Sequence, residues 1–170
     1  MTQPLVLIVM GSDSDLKVMS GATQMLDSFK VPYEVRISSA HRVPERTAKL
    51  AEEAEVRGIE VIIAAAGLAA HLPGVIAALT VLPVIGVPMK SGALHGEDAL
   101  HAIVQMPPGI PVATVAIDGA KNAAILACQI LGVKYPSIRK KLQAYKEQMA
   151  AEVKEKDCRL QELGITAYLG

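Results

Sequence analysis

Three short stretches of this 170-residue chain gather side chains able to hold an anion or move a proton: Gly11-Ser12-Asp13-Ser14-Asp15, Ser39-Ala40-His41-Arg42 and Gly67-Leu68-Ala69-Ala70-His71-Leu72-Pro73-Gly74. Ser12 and Ser14 stand where a helix begins, so they suit a phosphate or carboxylate held on backbone N–H groups, or equally the plain capping of that helix. Asp15 can bond sugar hydroxyls or complement the helix dipole. Arg42 offers a planar fork of donors that matches a phosphate. His41, beside Arg42 and Ser39, can give and take a proton near neutral pH. His71 sits among Ala, Gly, Leu and Pro, residues that let a backbone approach a ligand closely and form apolar walls. The same small residues also suit a tightly packed helix start.

The elements around these stretches alternate regularly. Apolar runs at Leu5–Met10, Val61–Ala66 and Pro83–Val87 read as parallel strands covered on both faces, with further strands at Tyr33–Ser38 and Pro111–Ile117. Between them lie helices: Leu16, Met19, Ala22 and Leu26 recur at helical spacing, Pro44 opens a second helix, and others fall near 72–79, 98–105 and 120–131. Strand–helix alternation predicts an α/β chain with right-handed crossovers, a three-layer flavodoxin-like fold whose five-stranded parallel sheet has the order 2-1-3-4-5. In such sheets ligands bind beyond the carboxyl ends of the strands, where the strand order reverses. The three stretches follow strands one, two and three and should share that rim.

Residues 1–134 are expected to form the catalytic body and 135–170 a helical extension of the same domain. In it Ile138, Leu142, Tyr145, Met149 and Val153 make one stripe, with Lys and Glu dense elsewhere. Such a helix, about 40 Å to residue 163, packs on its own body or reaches a neighbouring subunit.

Composition narrows the function. Seventeen Lys and Arg balance seventeen Asp and Glu, and aromatic residues make up 3%. That argues against a nucleic-acid binder, which needs a basic face or stacking platforms. Half the residues (51%) are apolar, yet no run reaches the roughly 20 needed to span a membrane, and the N-terminus lacks a signal-peptide pattern. Surface hidden between subunits is the expected use of the surplus. Cys128 and Cys158 fit reduced thiols of a cytoplasmic protein. His95 and His101 lie six residues apart, on different helix faces, so no metal site emerges. Hydrolase, triphosphatase and dinucleotide fingerprints are missing as well.

Taken with Ile103-Val104-Gln105-Met106-Pro107, the three stretches resemble the PurE family, in order and over about residues 6–131. The resemblance implies a homo-octamer with active sites at subunit contacts. It implies a mutase of purine biosynthesis that moves the carboxylate of N5-carboxyaminoimidazole ribonucleotide from the exocyclic nitrogen to C4, with no cofactor, metal, ATP or biotin. By position it makes His41 the catalytic histidine and His71 a second one. It gives Ser12, Ser14, Asp15, Ser39, Arg42, Gly67, Ala70 and Leu72 to substrate binding. Arg42 and His71-Leu72-Pro73-Gly74 resemble the mutase branch, whereas a carboxylase branch takes the unsubstituted ribotide and CO2. A nucleotide-binding module without catalysis is the alternative from another class. Leu68 and His95 depart from the family pattern, and Ile117-Asp118-Gly119-Ala120-Lys121-Asn122 is shorter than the Gly-rich version in some relatives. In the mutase reading a dry pocket retains CO2, and the Gly- and Ala-containing loop Lys90–Asp98 serves as its lid.

Overall fold

A computed structural model describes residues 3–170. Five parallel strands, β1 (Val6–Met10), β2 (Tyr33–Ile37), β3 (Val61–Ala66), β4 (Val84–Pro88) and β5 (Ala113–Thr114), lie in the order β2-β1-β3-β4-β5. The helices are α1 (Leu16–Ser28), α2 (Pro44–Glu52), α3 (Leu72–Ala78), α4 (Glu97–Val104), α5 (Ala120–Lys134) and α6 (Pro136–Leu169). The expected architecture and strand order are both present.

The three layers follow from the period of two along each strand. Val6, Ile8 and Met10 of β1, with Val61, Ile63 and Ala65 of β3, pack against α1, α5 and the start of α6. Their alternate neighbours Leu7, Val9, Ile62 and Ala64 pack against α2, α3 and α4. Because both faces are covered, β1, β3 and β4 are buried at every position, which is why they read as unbroken apolar runs. The alanine surplus has a place here too. Ala120, Ala123, Ala124 and Ala127 of α5 are all buried, so α5 lies close against the sheet and α1.

One expectation needs correcting. The fifth strand is two residues, not the seven of Pro111–Ile117. Pro111 has no N–H to give a ladder. Further on, Val115 N–H donates to Gly86 and Asp118 N–H to Pro88, so three steps along this segment face two along β4, and the register is lost. The C-terminal stripe packs on the body in its first half. Ile138 and Leu142 are buried, Tyr145 meets Phe29 edge to face at 5.6 Å, and Arg139 donates to the Gly132 and Val133 carbonyls that end α5. Beyond Tyr145, Met149 is 39% and Val153 66% exposed. The helix leaves the body there and breaks at Gly164, whose φ of 69° is left-handed. Among the described residues no helix is long and apolar enough to cross a membrane.

Candidate active site

All three chemical stretches meet at one cleft of about 380 Å³, beyond the carboxyl ends of β1, β2 and β3. The crevice has a topological origin. From β1 the chain crosses to β2 on one side, then to β3 on the other, so the connections diverge and leave the rim between them open. A larger cavity, about 790 Å³, opens at the opposite strand ends, but among the described residues Glu52 and Glu55 are the only ionisable groups lining it. The potential for proton transfer lies in the smaller one.

Each stretch is fixed by local bonds. In the first, Ser12 Oγ accepts the Ser14 N–H at 3.3 Å. Its own hydroxyl turns to Asp13, and that of Ser14 to Asp15, both at 3.2 Å. The capping role open in the sequence is therefore filled by Ser12, and the Ser12 and Ser14 side chains still line the cleft. Asp15 is half-buried. Burial pushes its carboxyl above the ordinary value of 3.8, and the Asp118 and Asp13 charges push the same way, against hydrogen bonds from Ser14 and Ser12.

The second stretch is a tight loop. Val43 N–H donates to the Ser39 carbonyl, and Arg42 N–H reaches Ser39 Oγ at 3.3 Å. Beneath it, the buried hydroxyls of Ser38 and Thr47 bond to each other at 2.9 Å, joining the end of β2 to the first turn of α2. Arg42 donates through Nη2 to the Gly11 carbonyl at 2.6 Å. The guanidinium thus bridges the first two loops and keeps further donors for an anion.

The third stretch brings the two histidines together. His41 Nε2 and His71 Nδ1 are 2.7 Å apart, with the rings 4.9 Å between centroids and 74° between planes. At that distance one nitrogen donates and the other accepts, so the two atoms share one proton. Thirty residues separate them in the chain, and only the β1-centred sheet order makes them neighbours.

Gly67 is small because its wall is full. A Cβ there would overlap Ser91 Oγ and come within 3.3 Å of the Met89 Cβ. Leu68 takes a left-handed φ of 54°, an uncommon conformation for a bulky side chain and one that gathers at functional sites. Leu72 lines the cleft while almost wholly buried. Of the ten expected site residues, nine line the cleft and Ala70 does not. It is buried among the apolar residues between β3 and α3, so its side chain supports the loop. The sequence reading missed Ser91, which follows β4 and closes the wall. Applying the strand-end rule to the fourth strand as well would have found it.

This is the fold and rim placement of a small-molecule enzyme of the doubly wound class, with two histidines in contact and an arginine brought to the same cleft. The family model for AIR carboxylase matches residues 5–152, and the chain belongs to that family. It is 65% identical to the N5-carboxyaminoimidazole ribonucleotide mutase of Pyrococcus horikoshii, over 98% of this chain and 94% of the relative. It is 54% identical to the phosphoribosylaminoimidazole carboxylase of Candida glabrata, over 98% of this chain but 29% of that longer protein. The crystal structure of Treponema denticola PurE superposes with a TM-score of 0.85 at 32% identity, covering 92% of this chain and 98% of that one.

Proposed function

We infer that this chain is an N5-carboxyaminoimidazole ribonucleotide mutase of purine biosynthesis, and that His41 and His71 carry its proton transfers. The observation that bears most weight is the 2.7 Å contact between the two imidazoles inside the cleft. In the reaction the carbamate N–C bond breaks, CO2 departs, and the exocyclic nitrogen takes a proton from the pair, with His41 as the acid. Ring C4 then attacks the retained CO2, and the proton on C4 returns to the pair. One proton is given and one taken, so the dyad is restored after each turnover. Holding CO2 beside C4 makes the second step effectively intramolecular. Arg42, which keeps donors beyond its bond to Gly11, takes the phosphate, and Ser12, Ser14, Asp15 and Ser39 take the polar groups of the ribotide.

Both imidazoles are exposed in the single chain, while the intermediates need protection from water. Leu68 at the cleft and Leu94 on the adjoining loop are 55% and 58% exposed. These apolar rims, with the uncovered outer half of α6, support a homo-oligomer, an octamer by family resemblance. In it neighbouring subunits cover the cleft, and the 135–170 extension packs on them. The unpaired thiols of Cys128 and Cys158 support a cytoplasmic setting.

The test supplies each ribotide separately, with and without bicarbonate. The mutase reading expects fast turnover of the N5-carboxylated ribotide and slow use of the unsubstituted one. The likeness to the Candida glabrata carboxylase makes rapid turnover of only the unsubstituted ribotide with CO2 the outcome that overturns it. H41N is expected to lose at least about 100-fold in kcat, in line with general acid–base catalysis, while still binding the ribotide. Unchanged turnover in H41N would remove the histidine from its role.

A further inference from the structure

Asp118 takes no part in the chemistry above, yet its position is unusual in three respects. It has a left-handed φ of 56° without being glycine, a conformation that Asp and Asn tolerate better than other side chains. Its backbone N–H donates to the Pro88 carbonyl at 2.9 Å. Its carboxylate Oδ1 accepts the backbone N–H of Lys90, also at 2.9 Å. One residue on the β5–α5 turn thus grips the chain on both sides of Met89, where it leaves β4.

That grip closes the base of a loop. At the loop's other end Gly96 comes so near that a Cβ would stand 3.1 Å from Lys90 Cα and 3.1 Å from the Met89 carbonyl. Residues 90–96 therefore leave and return at nearly the same point, an arrangement typical of compact surface loops. Ser91, one residue past the held N–H, is the group that lines the cleft and fills the place of a Gly67 side chain. Nothing else bonds the Lys90 N–H among the described residues. Without Asp118 this amide would turn to solvent and the start of the loop would be free to move.

We propose that Asp118 is a positioning residue for the active site: its carboxylate on the Lys90 N–H fixes the base of the 90–96 loop and thereby the place of Ser91 beside Gly67. This rests on the mutase reading for its kinetic consequence, but the hydrogen bond itself can be followed without substrate.

Two substitutions separate the acceptor from the backbone conformation. D118N keeps an acceptor oxygen and tolerates a left-handed φ. D118G accepts that φ even more readily but has no acceptor. The expected result in D118G is a fall of about tenfold in kcat/KM, mostly through KM, because one hydrogen bond of ordinary strength is lost. Amide exchange at Lys90 should rise by a similar factor, with a fall of only about 3–5 °C in melting temperature. D118N should retain wild-type protection at Lys90 and stay within about threefold in kcat/KM. A D118G protein matching wild type in Lys90 exchange and in KM would overturn the proposal. So would a D118N protein as impaired as D118G, since charge or backbone would then matter and not the acceptor. If wild type turns over neither ribotide, the mutase reading fails, and Lys90 exchange still decides the latch.

Discussion

Replacing Gly67 by alanine adds one methyl group where the loops after β3 and β4 touch. The new carbon would overlap Ser91 Oγ and lie 3.3 Å from Met89 Cβ and 3.4 Å from Ser91 Cβ. Two of these contacts are merely tight, and the third involves a hydroxyl that can rotate. Its present bond, to the Met89 carbonyl, is long at 3.4 Å, so little is lost when it turns. Overpacking a site costs about 1–3 kcal/mol, and here the lower end applies. A loss of about 1 kcal/mol lowers the melting temperature of a domain this size by about 2–4 °C. Function should suffer more than stability, because Ser91 must swing or the loop must shift at the wall of the cleft. A displacement approaching 1 Å in a substrate-positioning wall justifies a fall of about tenfold or more in kcat/KM. The assay pairs thermal melts with steady-state turnover of the N5-carboxylated ribotide for G67A, S91A and G67A/S91A. Removing the Ser91 hydroxyl removes the overlap, so the double variant should recover most of the lost melting temperature. A positive coupling of that kind is the signature of a shared contact. G67A indistinguishable from wild type in both measurements, or a double variant no better than G67A, would refute the reasoning.

Two further outcomes follow from the titrating groups. Asp15 has a folded-state pKa above its ordinary value of 3.8, chiefly from burial, so the folded state holds the proton more tightly. Stability therefore falls as pH rises from about 3.8 through the folded value, and the ionised carboxylate weakens the fold at neutral pH. D15N should melt higher than wild type at pH 7, lose that advantage in acid, and bind the ribotide more weakly, as seen in paired melts and KM values; a lower melting temperature at pH 7 would contradict this. Glu60 behaves oppositely. Burial alone would push its carboxyl up, but the Lys134 ammonium at 2.6 Å and the Tyr135 hydroxyl at 2.5 Å outweigh it, and the net shift is below 4.5. Its contribution is present above about pH 4.5 and fades as pH falls through the folded value. E60Q should melt at most about 3 °C lower at pH 7, as for a partly exposed ion pair, with the gap closing in acid; a gap that persists at pH 3 would show a different cause.

The sequence by itself determined the layers. Unbroken apolar runs at Leu5–Met10 and Val61–Ala66, too short for buried helices, fit strands covered on both faces, and their alternation with amphipathic helices leaves few topologies. Residue types on the first three strand ends also marked the cleft, since the strand-end rule needs only chain order. What chain order cannot supply is the distance between segments. The His41–His71 pair, the Arg42–Gly11 bridge and the Gly67–Ser91 wall each join different strand connections, and sheet register alone sets their approach. For the same reason Ala70 looked like a site residue in sequence and turned inward in the fold. A side chain's facing depends on where the loop enters α3, not on its neighbours in the motif. Asp118 shows the limit most plainly. In the sequence it is a residue of a shortened segment, and only the packing of β5 beside β4 brings its carboxylate to the Lys90 amide. Hydrophobic period is a local property and can be read along a chain, whereas polar contacts between loops arise only once the sheet has set their spacing.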